Sequence, residues 1–600
     1  MAVSTIKLTK VTGQILGSLI GLALLTGCED GTEGLQYGRD SYGSTDKSVI
    51  TGYYGTEKDV IIPDSVTEIS EGAFSWKRLT SVTIPDSVTT IGTEAFVGNQ
   101  LTSLTLPDSV TTIGGSAFRE NQLTSLTLSN SLTTIGSRVF SHNKITSVII
   151  PDSVTHIDNW AFFRNNMFSL VLSDSVTTIG REAFSRNKLT SVTLPDSLST
   201  IEYAAFSNNR LTSVTIPESA KTIGGWAFSE NKLTSVIFPD SMNTIGSGMF
   251  SYNNLTSVTL PNSLTAIESS AFAHNKLTSV TLPNSVISIG SRAFTENQLT
   301  SVTLPASLTT IGYWAFRKNK LTNVNFPDSL TNIGYGAFLS NKLTNVNLPD
   351  SMSTIEDGVF SFNQLTSVTL PNSLTSIGKE TFFANELTSV TLPDSVTTIG
   401  NTAFSGNNIT SVNFPDSVTA IGDFAFAHNQ LTSVTLPDSV TTLGKGVFNS
   451  NVLSTFNNAL SDGFIFARNK DGTEDKKVVV SYGGSRKDIV IPDLVTTIGD
   501  MALFDNEIAS VNFPDSVTVI GERAFSSNKL TSVVFPDSVT TIGERAFNFN
   551  KLNRVSIPSS VTIIGRAAFM ENKLTSVAIP NSVTTDVKRA FNSRVAIERY

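Results

Sequence analysis

One phrase of 22 residues, LTSVTLPDSVTTIGxxAFxxNx, recurs almost without slippage from about residue 57 to the C-terminus. Self-similarity at that period rules out a conventional globular core, because each repeat makes one coil and buries its apolar side only by stacking on its neighbours. The sequence therefore predicts a β-rich solenoid. Its 600 residues say little about domain count, since a stack of this kind can extend coil by coil.

The columns of the repeat have separate mechanical roles. Phe holds one column from Phe74 through Phe96, Phe118 and Phe140 to Phe448, and resumes from Phe525 to Phe591. Asn holds another, including Asn99, Asn121, Asn143 and Asn231, and all 21 prolines share a third. Columns this rigid leave no loop long enough for an ordinary active site. In one unit, Leu79, Val82 and Ile84 are spaced to face inward and Thr80 and Thr83 outward. Pro85 removes a backbone donor and ends the ladder, and Pro-Asp-Ser turns the chain. Val88 and Ile91 supply a second inward segment, Gly92 permits a bend, and Phe96 fills the interior, worth roughly 1.5–3 kcal/mol. Asn99 is expected to close the coil by aiming its amide at backbone groups that would each cost about 1–3 kcal/mol if left bare.

These columns resemble the repeat of the BspA-like bacterial leucine-rich-repeat family, LPxxxxxIGxxAFxxCxxLxxI, with Ile91, Gly92, Ala95 and Phe96 as the diagnostic residues. The resemblance covers about nine tenths of the chain. It departs from the family at Asn99 and its equivalents, where many relatives alternate Cys with Asn. The resemblance implies a right-handed leucine-rich-repeat coil and a role in cell-surface adhesion or interaction, the latter an analogy at the level of fold.

The N-terminus reads as an export signal. Lys7 and Lys10 precede an apolar run, Ile15 to Leu25, too short to span a bilayer but suited to a signal-peptide core. The run ends in Leu25-Thr26-Gly27-Cys28, which resembles a bacterial lipobox, and Cys28 is the only cysteine. An exported chain with one cysteine has no internal disulfide, so lipidation at Cys28 is the expected use. Two breaks in the period, DKSVITGYYGTEKDVIIP at 46–63 and DKKVVVSYGGSRKDIVIP at 475–492, align without a gap. Each alternates like a strand pair and is expected to cap the array that follows. The expected order is thus signal peptide 1–27, tether 28–45, first cap and solenoid 46–456, linker and second cap 457–485, and second solenoid 486–600. Asp586, in the column of an inward Ile, is expected to make the last coil a polar terminus.

Catalytic chemistry finds no constellation. His142, His274 and His428 share a column but lie six and seven coils apart, about 29 Å or more, and His156 lies apart from them. Serine is plentiful without a base and an oriented acid beside it. The post-proline column, with Asp86, Asp108, Asp152, Asp196 and Asp240, has the oxygen-rich character calcium prefers. It is broken by Asn130, Asn262, Asn284, Asn372 and Ala306, and it reads as turn chemistry. Neither a metal nor another cofactor is called for. The net charge of -9 and the lack of a basic run argue against nucleic acid.

A binding role is the reading that remains, with a macromolecular partner, a protein or cell-surface component, on the outer membrane or cell surface. The column before Ala-Phe carries Trp160, Trp226, Trp314 and Phe424 where other repeats carry Glu94, Arg138, Glu182 and Arg292. A column that takes both charges is expected to be exposed. With Tyr203, Tyr313 and Tyr335 beside it, that edge is the candidate contact surface; the other reading is scattered surface aromatics packed on their neighbours, since Trp160, Trp226 and Trp314 are three and four coils apart and form no single patch. The alternatives are an envelope spacer with no specific ligand and an ice-binding solenoid using the Thr columns.

Overall fold

The computed structural model describes residues 31–600; the expected signal peptide 1–27 and the expected lipidation site Cys28 lie outside the described residues. From the first hairpin onward the chain is a stack of coils with two parallel ladders. Ser103–Thr105 of the Leu-x-x-Leu strand pairs in parallel with Ser125–Thr127. Thr90–Ile91 pairs with Thr112–Ile113 in the same sense, each residue against the one 22 further on. The turn between them is closed by Val88 N–H donating to the Pro85 carbonyl.

The Gly-to-Asn segment forms a third bonded face without β geometry. Two residues per coil take left-handed backbone, the one before Ala-Phe and the one before Asn, as at Glu94 (φ 56°) and Gly98 (φ 69°). With this alternation the N–H groups of Glu94, Phe96 and Gly98 all reach toward the next coil, donating to Gly115, Ala117 and Arg119 carbonyls at 3.0, 2.8 and 3.0 Å. A left-handed non-glycine costs roughly 1–2 kcal/mol. The bond each one makes and the ring stack beneath it offset that cost.

The Asn column joins this face to the Leu strand. Asn99 Oδ1 accepts from Leu79 N–H at 2.9 Å, and its Nδ2 donates to the Phe74 and Phe96 carbonyls at 2.8 and 3.0 Å. Asn121, Asn143 and Asn231 repeat the same three bonds in their own coils. Inside, the phenyl rings stack face to face, Phe74 on Phe96 at 4.9 Å and Phe96 on Phe118 at 5.2 Å, and Phe118 on Phe140 at 5.8 Å. Gly92 serves a purpose other than the expected bend. A Cβ there would stand 2.5 Å from Glu71 N, so the preceding coil's backbone is what excludes a side chain.

Both breaks in the period are antiparallel hairpins of one design. Leu35–Arg39 pairs with Thr45–Tyr53, and Phe464–Arg468 with Glu474–Tyr482, with shifts of register at matching places. The outer strand Leu35–Arg39 falls inside 28–45, so the expected tether is corrected: most of that segment is folded into the cap. In both hairpins a buried tyrosine begins the next core, Tyr53 donating to the Glu57 carbonyl and Tyr482 to that of Arg486.

The second hairpin does more than begin an array. Gly446 N–H of the last first-array coil donates to the Val480 carbonyl, and Leu453 N–H to that of Gly483. Asn449 Oδ1 accepts from Ser481 Oγ and Tyr482 N–H, while its Nδ2 donates to the Met501 and Phe504 carbonyls. Lys445 pairs with Asp500 at 2.9 Å across the same joint. The two arrays therefore meet through a bonded junction. At the far end Asp586 caps a short 3-10 turn, Val587–Arg589, accepting from Lys588 N–H, and Ala596–Arg599 adds a last parallel strand.

Candidate binding edge

The left-handed column before Ala-Phe fixes where its side chains go. Trp160, Trp226, Trp314 and Phe424 are half-buried, which corrects the expectation that this column stands exposed. The reason is geometric. Each ring is seated among neighbouring coils, and where the next residue in the column is glycine the ring lies across it. A Cβ at Gly248 would stand 2.5 Å from the Trp226 indole, one at Gly336 2.6 Å from Trp314, and one at Gly446 2.5 Å from Phe424.

Phe424 also meets Phe504 edge to face at 5.9 Å and so belongs to the junction between arrays. The tyrosines beside the column, Tyr203, Tyr313 and Tyr335, are exposed, at 42%, 45% and 45%.

Two of the tryptophans are held by arginines. The Arg138 guanidinium lies 4.4 Å from the Trp160 ring centre, and Arg181 spans Trp160 and Tyr203 at 5.7 and 4.7 Å. In the same way Arg292 lies 4.6 Å from Trp314 and Arg317 5.4 Å, while Tyr335 packs on the indole at 5.6 Å. Each such contact is worth about 0.5–1 kcal/mol at exposed sites. From the sequence, Arg138 and Arg292 count only as charged members of the column, not as partners of the rings. The signal was present: Arg138 and Arg292 each precede their tryptophan by one repeat in the same column.

Trp226 and Trp314, four coils apart, share one depression of about 270 Å³ with Tyr252, His274, Arg292 and Glu296. Gly248 and Ser270 fill the column after Trp226 and leave it open toward Arg292. On its side wall Tyr252 stacks on His274 at 4.1 Å, and His274 Nδ1 lies 3.1 Å from Glu296. Glu296 also meets Lys318 at 2.8 Å and Arg317 at 3.8 Å, and these partners hold its carboxyl below the usual range, the Lys318 hydrogen bond most of all. Trp160 lies outside this depression. On the strand face a separate, larger hollow of about 510 Å³ is lined by Asn323, Asn325, Asn345 and Asn347, where asparagine replaces the usual Ser and Thr.

The remaining histidines have local partners. His142 packs edge-on against Phe163 at 5.4 Å, and burial followed by the Arg119 and Arg164 charges pushes its pKa down. His428 lies 3.7 Å from Asp505 across the junction, and His156 hydrogen-bonds Thr155. Asp108 accepts from Asn130 N–H one coil on, a bond that stitches turn to turn. Among the described residues no group of three or more His, Cys, Asp or Glu could hold a metal ion. Among the same residues no helix is long and apolar enough to cross a membrane.

Coils closed by an Asn ladder, with short parallel strands and a phenyl spine, define a leucine-rich-repeat solenoid. The chain belongs to the BspA type leucine-rich-repeat family, whose six-copy repeat region matches residues 53–168, 161–278, 265–388, 375–461 and 481–598. Proteins of this family are typically surface-associated or exported, and leucine-rich-repeat proteins generally bind proteins. Among solved structures the chain is similar to YopM from Yersinia enterocolitica WA-314, at 18% identity over 89% of this chain and 91% of that one, with a TM-score of 0.40. It is also similar to a leucine-rich repeat protein from Bacteroides ovatus ATCC 8483, at 18% identity over 95% and 99% with a TM-score of 0.20. A leucine rich cell surface protein from Faecalibacterium prausnitzii A2-165 is similar at 21% identity over 80% and 93%, with a TM-score of 0.19. A comparison with curated protein sequences finds no match.

Proposed function

We propose that this chain is a non-enzymatic binding protein, anchored by lipid at Cys28 to the bacterial outer membrane or cell surface, whose solenoid contacts a protein or other cell-surface component of a host or neighbouring cell. The observation that carries the reading is the row of pinned rings and guanidinium groups along one edge, in a column where the N–H groups of Trp160, Trp226, Trp314 and Phe424 are bonded to the next coil. Aromatic and arginine side chains are the groups that most often dominate interface energy. A featureless spacer has no use for such clusters. The ice-binding alternative loses one of its Thr columns: the hydroxyls of Thr111, Thr155 and Thr177 donate to carbonyls one coil earlier and so are not free.

The anchor fits the folded body. Thr32 is already bonded to Ile61, which leaves three residues between it and Cys28 and would hold the N-terminal end of the stack close to the bilayer. Brief external protease treatment of intact cells displaying the protein tests the proposal. Loss of surface label together with loss of adhesion supports it; full protection of the chain, or adhesion that survives its removal, overturns it.

A further inference from the structure

The depression between Trp226 and Trp314 has a chemistry more specific than a generic contact surface. Its carboxylate is already matched, since Glu296 is shared among Lys318, His274 and Arg317. Arg292 is different. It is exposed, it is held in place against the rings of Trp314 and Tyr313 at 4.6 and 5.5 Å, and among the described residues it makes no ion pair. A guanidinium seated over a ring and without an ion pair keeps N–H donors for a planar anion, and having been ordered in advance it loses less freedom on binding.

The rest of the depression limits what else the ligand can be. The N–H groups of Trp226, Gly248, Ser270, Arg292 and Trp314 all donate to carbonyls of the next coil, so no backbone donor remains to pair with a peptide main chain. The lining offers flat rings, from Trp226 and the Tyr252–His274 stack, and almost no aliphatic pocket for a side chain. Its volume of about 270 Å³ is near the lower end of the ~300–1,000 Å³ of small-ligand sites. A flat-faced, hydroxyl-rich ring bearing an acid fits these walls.

We propose that this depression binds an acidic saccharide, the sugar ring against the aromatic wall of Trp226 and Tyr252 and its carboxylate or sulfate on Arg292, with Arg317 adding positive charge. The proposal rests on the reading of this edge as a contact surface and names what it contacts. The test titrates the purified mature protein with trigalacturonic acid, a sulfated trisaccharide, neutral galactotriose and pentaglutamate, by tryptophan fluorescence and calorimetry.

Either acidic sugar is expected to bind at least about tenfold more tightly than galactotriose, with that preference lost in Arg292→Gln. Comparison of the two acidic sugars assigns carboxylate or sulfate. Trp226→Phe, which keeps a ring, should retain the preference while weakening both acidic and neutral sugars. Binding of neither acidic sugar, equal binding by Arg292→Gln, or tighter binding of pentaglutamate overturns the proposal. If the sugars fail while loss of the tryptophans still abolishes adhesion, the saccharide falls and the contact edge stands.

Discussion

Trp226 lies across Gly248, the residue one coil later in the same column, with its indole 2.5 Å from where a Cβ would stand. Gly248 is also left-handed, at φ 61°. Ring and glycine are therefore one unit, and Gly248→Ala should destabilise by about 1–3 kcal/mol through backbone strain and the clash together. Removing the ring removes the clash. In Trp226→Ser/Gly248→Ala the loss should be smaller than the sum of the single changes by at least about 0.5 kcal/mol. Chemical denaturation of the four proteins measures this, and strict additivity would separate the two residues.

Asn231 spans four buried backbone groups, accepting from Leu211 N–H and donating to the Phe206, Phe228 and Ser229 carbonyls. Asn231→Ala removes these bonds and should cost at least about 1–3 kcal/mol. Lys232→Ala, at the exposed neighbour, should stay within about 0.5 kcal/mol of wild type. Because each coil touches only its neighbours, limited proteolysis of Asn231→Ala should begin near that coil. Equal thermal midpoints for the two variants would remove the Asn ladder from the stability account.

The junction between arrays carries a pH signature. Burial pushes the Tyr482 phenol up to about 12, from an ordinary value near 10. Between those values the folded state holds a proton that the unfolded state has released, so stability is full below pH 10 and falls as pH rises toward 12. Tyr53 of the first hairpin is shifted in the same direction, chiefly by burial. Tyr482→Phe loses the bond to the Arg486 carbonyl and should cost about 1 kcal/mol at neutral pH. Its deficit should shrink as pH climbs through 10. A deficit that stays constant across that range in thermal melts would show that the phenol does not ionise with unfolding.

Much of this was legible in the sequence, because a column repeated at fixed spacing exposes its role by its constancy. The Phe, Asn and Pro columns, and the inward Leu, Val and Ile, are placed as their spacing implies. What could not be read were relationships between columns of neighbouring coils. The aromatic-to-glycine succession at Trp226 and Gly248 is a pairing across one repeat, invisible when each column is read alone. The half-burial of the tryptophans follows from left-handed backbone, which a column mixing Glu, Arg and Trp does not announce. The strand Leu35–Arg39 escaped because its counterpart Phe464–Arg468 shares almost no residues with it, although both make the same hairpin.

The proposed anchor has its own test. Cys28→Ser should abolish lipid modification and move the protein from the membrane fraction to the soluble one after a mild salt wash, since stable attachment takes two acyl signals and a processed lipoprotein carries them. Metabolic labelling with a fatty-acid analogue reads the modification directly. An unchanged membrane fraction in the variant would place the anchor elsewhere.

The aromatic edge of the first array is the proposed contact surface, and the most direct measurement of it is adhesion by protein in which Trp160, Trp226 and Trp314 are together changed to Ser. Adhesion to the target cell or surface should weaken at least about tenfold while circular dichroism stays near wild type, because hot-spot energy concentrates in such rings and the phenyl spine beneath is untouched. Undiminished adhesion by that variant would contradict the account and shift attention to the strand face around Asn323 and Asn345.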